Sequence, residues 1–196
     1  MRPGYGIRHP ALAPLLEERT PSAMVEFSWL DGTLPLRASS YTEVADLPDE
    51  LVSSVRCLVV VGDQIVVCDT PDGCHPWPGG RRESGESYAE TVCREVREET
   101  GWLLDPSSVM PVGWIHLEHL KAQPEDYPYL HPDFLQLVCI GRATAREDDA
   151  DGWVDTEGWE QASRLVSLDE ARRQVTFDGA AGAMVFLDLV DSFLHT

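Results

Sequence analysis

Glu95, Glu98 and Glu99 stand at positions i, i+3 and i+4 in the stretch "GGRRESGESYAETVCREVREETGW", which runs from Gly79 to Trp102. On an α-helix, residues spaced in that way share one face. Three carboxylates held within about 6 Å of one another repel by roughly a few kcal/mol at an effective dielectric near 20. Hard divalent cations such as Mg²⁺ take oxygen ligands and relieve that repulsion. The alternative is a solvated acidic face balanced by Arg94 and Arg97, and the triplet alone leaves both readings open.

The flanking residues are of the kinds needed to position such a triplet. Ser87 followed by Glu90 is a capping box, so a helix starts there. Gly101 is placed to end it as a C-terminal cap. Tyr88, Ala89, Val92, Cys93, Val96 and Thr100 fall on one mostly apolar arc, which turns to the core and leaves the glutamates on the adjoining arc. Gly79 and Gly80 precede the helix and let the backbone approach a metal or ligand closely. Glu86 sits at the junction of loop and helix.

Written as spacing, the stretch is Gly80, five residues, Glu86, seven residues, Arg94-Glu95-Val96, one residue, Glu98-Glu99, one residue, Gly101 and Trp102. This resembles the signature of the Nudix hydrolase family at every fixed position. The resemblance implies an α/β (α+β) fold, an α/β/α sandwich around a mixed sheet. Here it would occupy residues 51–196, behind an N-terminal β-hairpin extension in residues 1–50. It also implies a metal-dependent pyrophosphohydrolase using Mg²⁺ or Mn²⁺. The substrate implied is a small molecule, a nucleoside diphosphate linked to another moiety or a nucleoside triphosphate.

Carried over by position, Glu98 and Glu99 are metal ligands, Glu95 is a ligand or the base that orients water, and the Gly80 carbonyl reaches the metal. Arg94 pairs with the nearby carboxylates, and Glu86 supports the loop or joins the outer metal shell. Related enzymes often take a further base from a loop before the last strand. In "REDDADGWVDTEGWEQASRLV" Glu160 is the first choice and Glu157 the second. The physical logic agrees, because a pyrophosphate repels an attacking hydroxide until its charge is neutralised. The runner-up is a non-catalytic nucleotide-sensing module that regulates a protein partner. The intact glutamates favour the enzyme. Marks of substrate subfamilies are absent. No arginine precedes the glycines in "IVVCDTPDGCHPWPGG", and Glu118 stands where a proline marks ADP-ribose enzymes.

The rest of the chain bounds the setting. Its 196 residues include 15 Lys and Arg against 34 Asp and Glu, a formal charge of −19. That balance gives no general affinity for nucleic acid or an anionic membrane. No apolar run approaches the roughly 18 residues of a membrane span. Five cysteines without a CxxC pair fit a reducing, cytoplasmic compartment. Cys74 and His75 with His116 and His119 match no common zinc spacing. Trp153 and Trp159 are the candidates for stacking against substrate.

Asp31-Gly32 marks a hairpin that sets Trp29 opposite Leu34, Phe27 opposite Leu36 and Val25 opposite Ala38, with Glu26 opposite Arg37 on the other face. Pro35 suggests that its strand is at an edge, at least on the side where its missing N–H would be needed. The apolar face of the hairpin needs a cover, either the domain body or a second subunit, so a homodimer is one expectation. A short helix in "ALAPLLEER" is expected to break at Pro14, and "YTEVADLPDELVSS" reads as linker. Strands follow at "VRCLVVV", "IVVCDT", Val109–Leu117 and Phe134–Thr144, and helices at Leu168–Gln174 and Ala180–Leu194.

Overall fold

Alternation of apolar and polar residues sets the first two strands, β1 (Ala23–Trp29) and β2 (Leu34–Tyr41). They pair antiparallel with Val25 opposite Ala38, Phe27 opposite Leu36 and Trp29 opposite Leu34, the register expected from the turn. On the other face Arg37 donates to Glu26 at 2.7 Å. The computed structural model describes residues 6–29, 32–71, 73–123, 130–147, 160–175 and 180–195. Asp31, Glu157, Trp153 and Trp159 lie outside them.

Ahead of the hairpin, α1 (Leu12–Glu17) runs through Pro14 instead of breaking there. Pro14 occupies the first turn, where a missing N–H has no intrahelical partner to lose. The supposed linker contributes the end of β2 and a 3₁₀ turn at Asp49–Leu51, which leads into β3 (Val52–Val61). β4 (Gln64–Thr70) and β5 (Gly73–His75) follow, then α2 (Tyr88–Thr100), β6 (Trp102–Leu104), β7 (Met110–His119) and β8 (Asp133–Arg146). The described chain ends with β9 (Ala162–Ser167), α3 (Leu168–Gln174) and α4 (Ala180–Leu194).

The sheet runs β1-β2-β7-β8-β3-β4-β5, with β9 beside β4 and β6 beside β8. β3 and β8 are parallel while the other pairs are antiparallel, so the sheet is mixed. β2 is not the edge that Pro35 suggested. It lies between β1 and β7, and its pairing to β7 begins at Leu36, one residue past the proline. Pro35 therefore never owes the ladder an N–H, and its carbonyl still accepts from Leu120 at 3.0 Å. β1 is the edge strand on that side of the sheet.

A core lies on each face of the sheet. On one face Val92 and Val96 of α2, with Leu12 of α1, pack on Val55, Cys57, Val59, Cys139 and Trp114. On the other, Phe186, Leu187 and Val190 of α4 and Ala171 of α3 pack on Leu58, Val60, Ile65 and Leu117. Cys57, Leu58, Val59 and Val60 are all fully buried, as an apolar run covered on both faces must be. Val25 and Phe27 pack against the α4 core, so the domain itself covers the hairpin's apolar face. Among the described residues no helix is long and apolar enough to cross a membrane.

Candidate active site

Helix α2 is held at both ends. Ser87 accepts from the backbone of Glu90 while the Glu90 carboxylate accepts from the backbone of Ser87, a complete capping box. Gly101 closes the helix in the left-handed region at φ 72°, donating to the Arg97 carbonyl. Val92, Val96 and Thr100 are buried, so the helix cannot roll. Its rotation about its own axis, and with it the direction of Glu95 and Glu99, is set by that buried stripe.

The Pro-Gly-Gly loop lies along β3. Val55 donates to the Gly80 carbonyl and Cys57 to the Pro78 carbonyl, each at 2.9 Å. Arg56, between them, sends its guanidinium to the Gly79 carbonyl. The loop thus behaves as a short extra strand edge, and it passes α2 at contact distance. A Cβ on Gly80 would meet the Glu95 carboxylate at 2.5 Å. A Cβ on Gly79, where φ is +145°, would meet the Val55 carbonyl oxygen at 2.2 Å. The first glycine makes room for backbone and the second for a carboxylate.

Arg94 organises the acids. It donates to Glu86 at 2.7 and 3.0 Å, to Glu95 at 2.8 Å, to Glu98 at 3.0 Å and to the Arg81 carbonyl at 2.9 Å. The hydrogen bonds from Arg94 hold the Glu86 carboxyl down to about 2. Burial pushes the Glu95 carboxyl up, against the pull of Arg94. Glu99 is the most perturbed of the three. Burial pushes its carboxyl up to about 8, opposed by Arg56 and by the Gly79 N–H, and Glu160 raises it further.

These groups line a cleft of about 550 Å³. Glu95, Glu99, Gly79 and Gly80 form one wall, and Arg56, Arg81, Arg82 and Arg94 bring positive charge to the same end. Glu98 stands outside that wall, its side chain 40% exposed and paired with Arg94. Glu160 is buried and lines the cleft beside His75, with His75 Nε2 3.4 Å from Glu160 Oε1. Burial lowers the His75 ring's affinity for a proton, with Glu160 pulling the other way.

The structure therefore brings Gly80, Glu95, Glu99, Arg94 and Glu160 to one cleft, with Glu86 behind Arg94 and Glu98 at the rim. Two contributors escaped the sequence reading. Arg56 carried a signal, as the one charged residue inside the apolar run "VRCLVVV". His75 read as loop, yet it belongs to β5 and is buried, because Cys68 of β4 pairs with it.

The donor set has the chemistry of a hard-cation site. Among the described residues no three His, Cys, Asp or Glu side chains form a ready metal cage, and the Arg94 guanidinium stands among the acids. What they offer is oxygen only, from Glu95, Glu99 and the Gly80 carbonyl. An anionic Glu99 in so buried a place calls for a cation. Mg²⁺ or Mn²⁺ fits that demand, and softer ions that prefer sulfur or imidazole do not.

A mixed sheet lies between two helical layers, and the acid-bearing helix meets the glycine loop along one wall of the cleft. Residues 50–185 match the family model described as NUDIX domain, and the chain belongs to that family, whose members hydrolyse phosphoric anhydrides. It is 32% identical over 120 residues to phosphatase NudJ of Escherichia coli strain K12, covering 58% of this chain and 74% of that protein. The Shigella flexneri protein of the same name matches equally. Among solved structures, a point mutant of the Bacillus subtilis pyrophosphohydrolase BsRppH superposes with a TM-score of 0.57 at 16% identity, covering 87% of this chain and 96% of that one. A NUDIX hydrolase from Nitrosomonas europaea gives 0.53 at 20% identity, over 72% and 90% of the two chains. At those identities the likeness is one of fold.

Proposed function

We propose that the protein is a divalent-metal-dependent pyrophosphohydrolase that cleaves a phosphoanhydride bond in a nucleotide-type small molecule. The substrate is a nucleoside diphosphate linked to another moiety, or a nucleoside triphosphate. The observation that carries this reading is the meeting of Gly80, Glu95 and Glu99 at the end of a cleft that also holds four arginines. Carboxylates to hold cations and guanidiniums to hold phosphates are what an anhydride site needs together.

Glu95, Glu99 and the Gly80 carbonyl would hold the metal, with Glu98 joining from the rim. When bound, it neutralises phosphate charge and lowers the pKa of water. Arg94 keeps Glu86, Glu95 and Glu98 apart and oriented while they are anionic. Arg56, Arg81 and Arg82 bind and orient the polyphosphate. Glu160, buried beside His75, would take the proton of the attacking water. The water-poor surroundings of Glu160 and Glu99 strengthen each of these charge interactions.

The five free cysteines support a reducing, cytoplasmic setting. A homodimer is not required to cover the hairpin, whose apolar face packs within the chain. One formed here would use the outer edge of β1, and light scattering of the chain with and without residues 1–45 tests it. The functional reading is tested by assaying a panel of nucleoside diphosphate compounds and nucleoside triphosphates with Mg²⁺, with Mn²⁺ and with chelator. Metal-dependent release of a nucleotide and phosphate product is the expected result. Absence of any anhydride cleavage across the panel would overturn it.

A further inference from the structure

Three strands stand side by side at one end of the sheet, β9 next to β4 and β4 next to β5. Cys68 of β4 pairs with Ser163 of β9 on one flank and with His75 of β5 on the other, so the three form one row. Residues paired in this way turn their side chains to the same face. Cys68 belongs to the core beneath α2, and the Ser163 hydroxyl donates to the Thr100 carbonyl of that helix at 3.1 Å. His75 therefore looks to the side of the sheet where α2 carries Glu99.

Glu160 reaches the same place from the other flank. It lies two residues before β9, and its neighbour Gln161 donates its backbone N–H to the Asp69 carbonyl at 2.8 Å. β5 and β9 are two strand spacings apart, roughly 10 Å. Their side chains meet across β4 because Cys68, between them, is small and fully buried. His75 Nε2 ends 3.4 Å from Glu160 Oε1, with the two side chains 6% and 5% exposed. Burial pushes the Cys68 thiol well up, and Glu99 and Glu160 add to the rise, as carboxylates close to it must.

The strand that carries the histidine is firmly held. β5 pairs with β4 at Gly73, Cys74 and His75. Arg164 of β9 forks onto Asp69 of β4 at 3.0 and 3.2 Å and brings a nitrogen 3.7 Å from the Cys74 sulfur. Glu160, by contrast, turns about three side-chain bonds, and a carboxylate with no tether spreads over many rotamers. An apolar ring at position 75 would fill the space without burying a polar group. The imidazole differs from such a ring in its polar edge, and that edge meets Glu160.

We propose that His75 is a positioning residue for the reaction: its Nε2–H donates to Glu160 and holds that carboxylate where it takes the proton of the attacking water. The assignment rests on the phosphoanhydride reading, with Glu160 as the proton acceptor. The water oxygen forms the new bond to phosphorus, the anhydride P–O bond breaks, and the leaving phosphate keeps the bonding pair. The proton released by the water passes to Glu160. His75 keeps its own proton throughout and touches no reacting atom. Its effect falls on how often Glu160 is aimed, hence on kcat and not on substrate binding.

The test uses full-length protein with Mg²⁺ and whichever nucleoside triphosphate or nucleoside diphosphate compound wild type cleaves fastest. The variants are His75→Phe, His75→Gln, Glu160→Gln, and His75→Phe combined with Glu160→Gln. His75→Phe keeps a ring and removes the donor, so kcat is expected to fall about thirtyfold with KM within about twofold of wild type. His75→Gln, whose amide sets an N–H near the place of Nε2, is expected to recover most of that loss. In the Glu160→Gln background His75→Phe is expected to cost less than about twofold, because no carboxylate is left to hold. Nitrogen-15 NMR of the imidazole in metal-free protein reads the contact without turnover. Nε2 is expected to carry the proton, and its resonance to move in Glu160→Gln.

Equal losses of kcat from His75→Phe in both backgrounds, a rise in KM in place of a fall in kcat, no recovery by His75→Gln, or an Nε2 resonance indifferent to Glu160→Gln would each overturn the proposal. The NMR comparison needs no change at position 75, so it decides the matter even where His75→Phe fails to fold. A wild type that cleaves no member of the panel removes the phosphoanhydride reading and the role together. Additive losses in an active wild type remove the role alone.

Discussion

The backbone N–H of Gly79 donates to Oε2 of Glu99 at 2.6 Å. This bond joins the glycine loop to helix α2 within the cleft, and it gives a backbone donor to a carboxyl that burial pushes up to about 8. Glu99 is therefore where folding and the proposed metal binding oppose each other, and its titration has a definite sign.

The folded protein keeps a proton on Glu99 that the unfolded chain releases above about 4.5, because the folded pKa is raised to about 8. The stability from this group is complete below about pH 4.5 and is lost as pH rises through 8. Metal-free protein should show a falling melting temperature over that window. Saturating Mg²⁺ or Mn²⁺ should flatten the fall and release protons on binding. Glu86 has the opposite sign. Its pKa of about 2 lies below the ordinary 4.5, so its contribution is present above 4.5 and lost as pH falls through 2. Melting curves from pH 4.5 to 8.5, with and without metal, check both the direction and the flattening.

Glu99→Gln should raise metal-free stability at pH 8, since the amide cannot ionise and its oxygen still accepts from Gly79. Turnover should fall by roughly 10²- to 10⁴-fold, about 3–5 kcal/mol of transition-state stabilisation. Paired melting and turnover measurements test this. A variant that is both less stable without metal and fully active would contradict the placement of Glu99.

The two glycines of the loop should respond differently to one methyl group. Gly79→Ala drives a Cβ into the Val55 backbone at a positive φ, so it should destabilise by about 2–4 kcal/mol in urea unfolding. Gly80→Ala meets only the movable end of Glu95. The fold should stay within about 1 kcal/mol of wild type while turnover drops about tenfold or more, because the proposed metal ligand Glu95 is displaced.

Arg94→Lys keeps the charge and loses the fork. A lysine cannot bond Glu86 twice and still reach Glu95 and Glu98. The expected loss is about 1–3 kcal/mol of stability, with weaker metal binding. Chemical denaturation and metal titration by calorimetry measure the two effects. A lysine variant equal to wild type in both would show that charge alone matters there.

Glu160→Gln should lower turnover by about 10²-fold at saturating metal and substrate, with KM nearly unchanged, if it receives the proton. A rate within about twofold of wild type would move the base to Glu95.

Local chemistry made the helix and the hairpin legible in the sequence. Ser87, Glu90 and Gly101 name the ends of α2 by backbone bonds made within one turn. The alternation from Val25 to Trp29 and from Leu34 to Ala38, about a short turn, leaves one register. What depends on distant pairing was hidden. Pro35 signalled an edge because its relation to β7, which starts one residue later, is not a local property. Glu160 was named from the resemblance as a candidate base; its neighbour His75 comes from β5, which the pairing of β4 alone defines.

The parallel pairing of β3 with β8 has a consequence for how the protein is made. The glycine loop, α2 and β7 all lie between those two strands in the chain, and β3 needs β8 as its central neighbour in the sheet. During synthesis the glutamates leave the ribosome well before β8, so the emerging chain is acidic and apolar by turns, with no finished site to hold a metal. The proposed cation site is assembled only once most of the chain has been translated. A nascent chain arrested before β8 would contain all the glutamates proposed to bind metal and none of the assembled site.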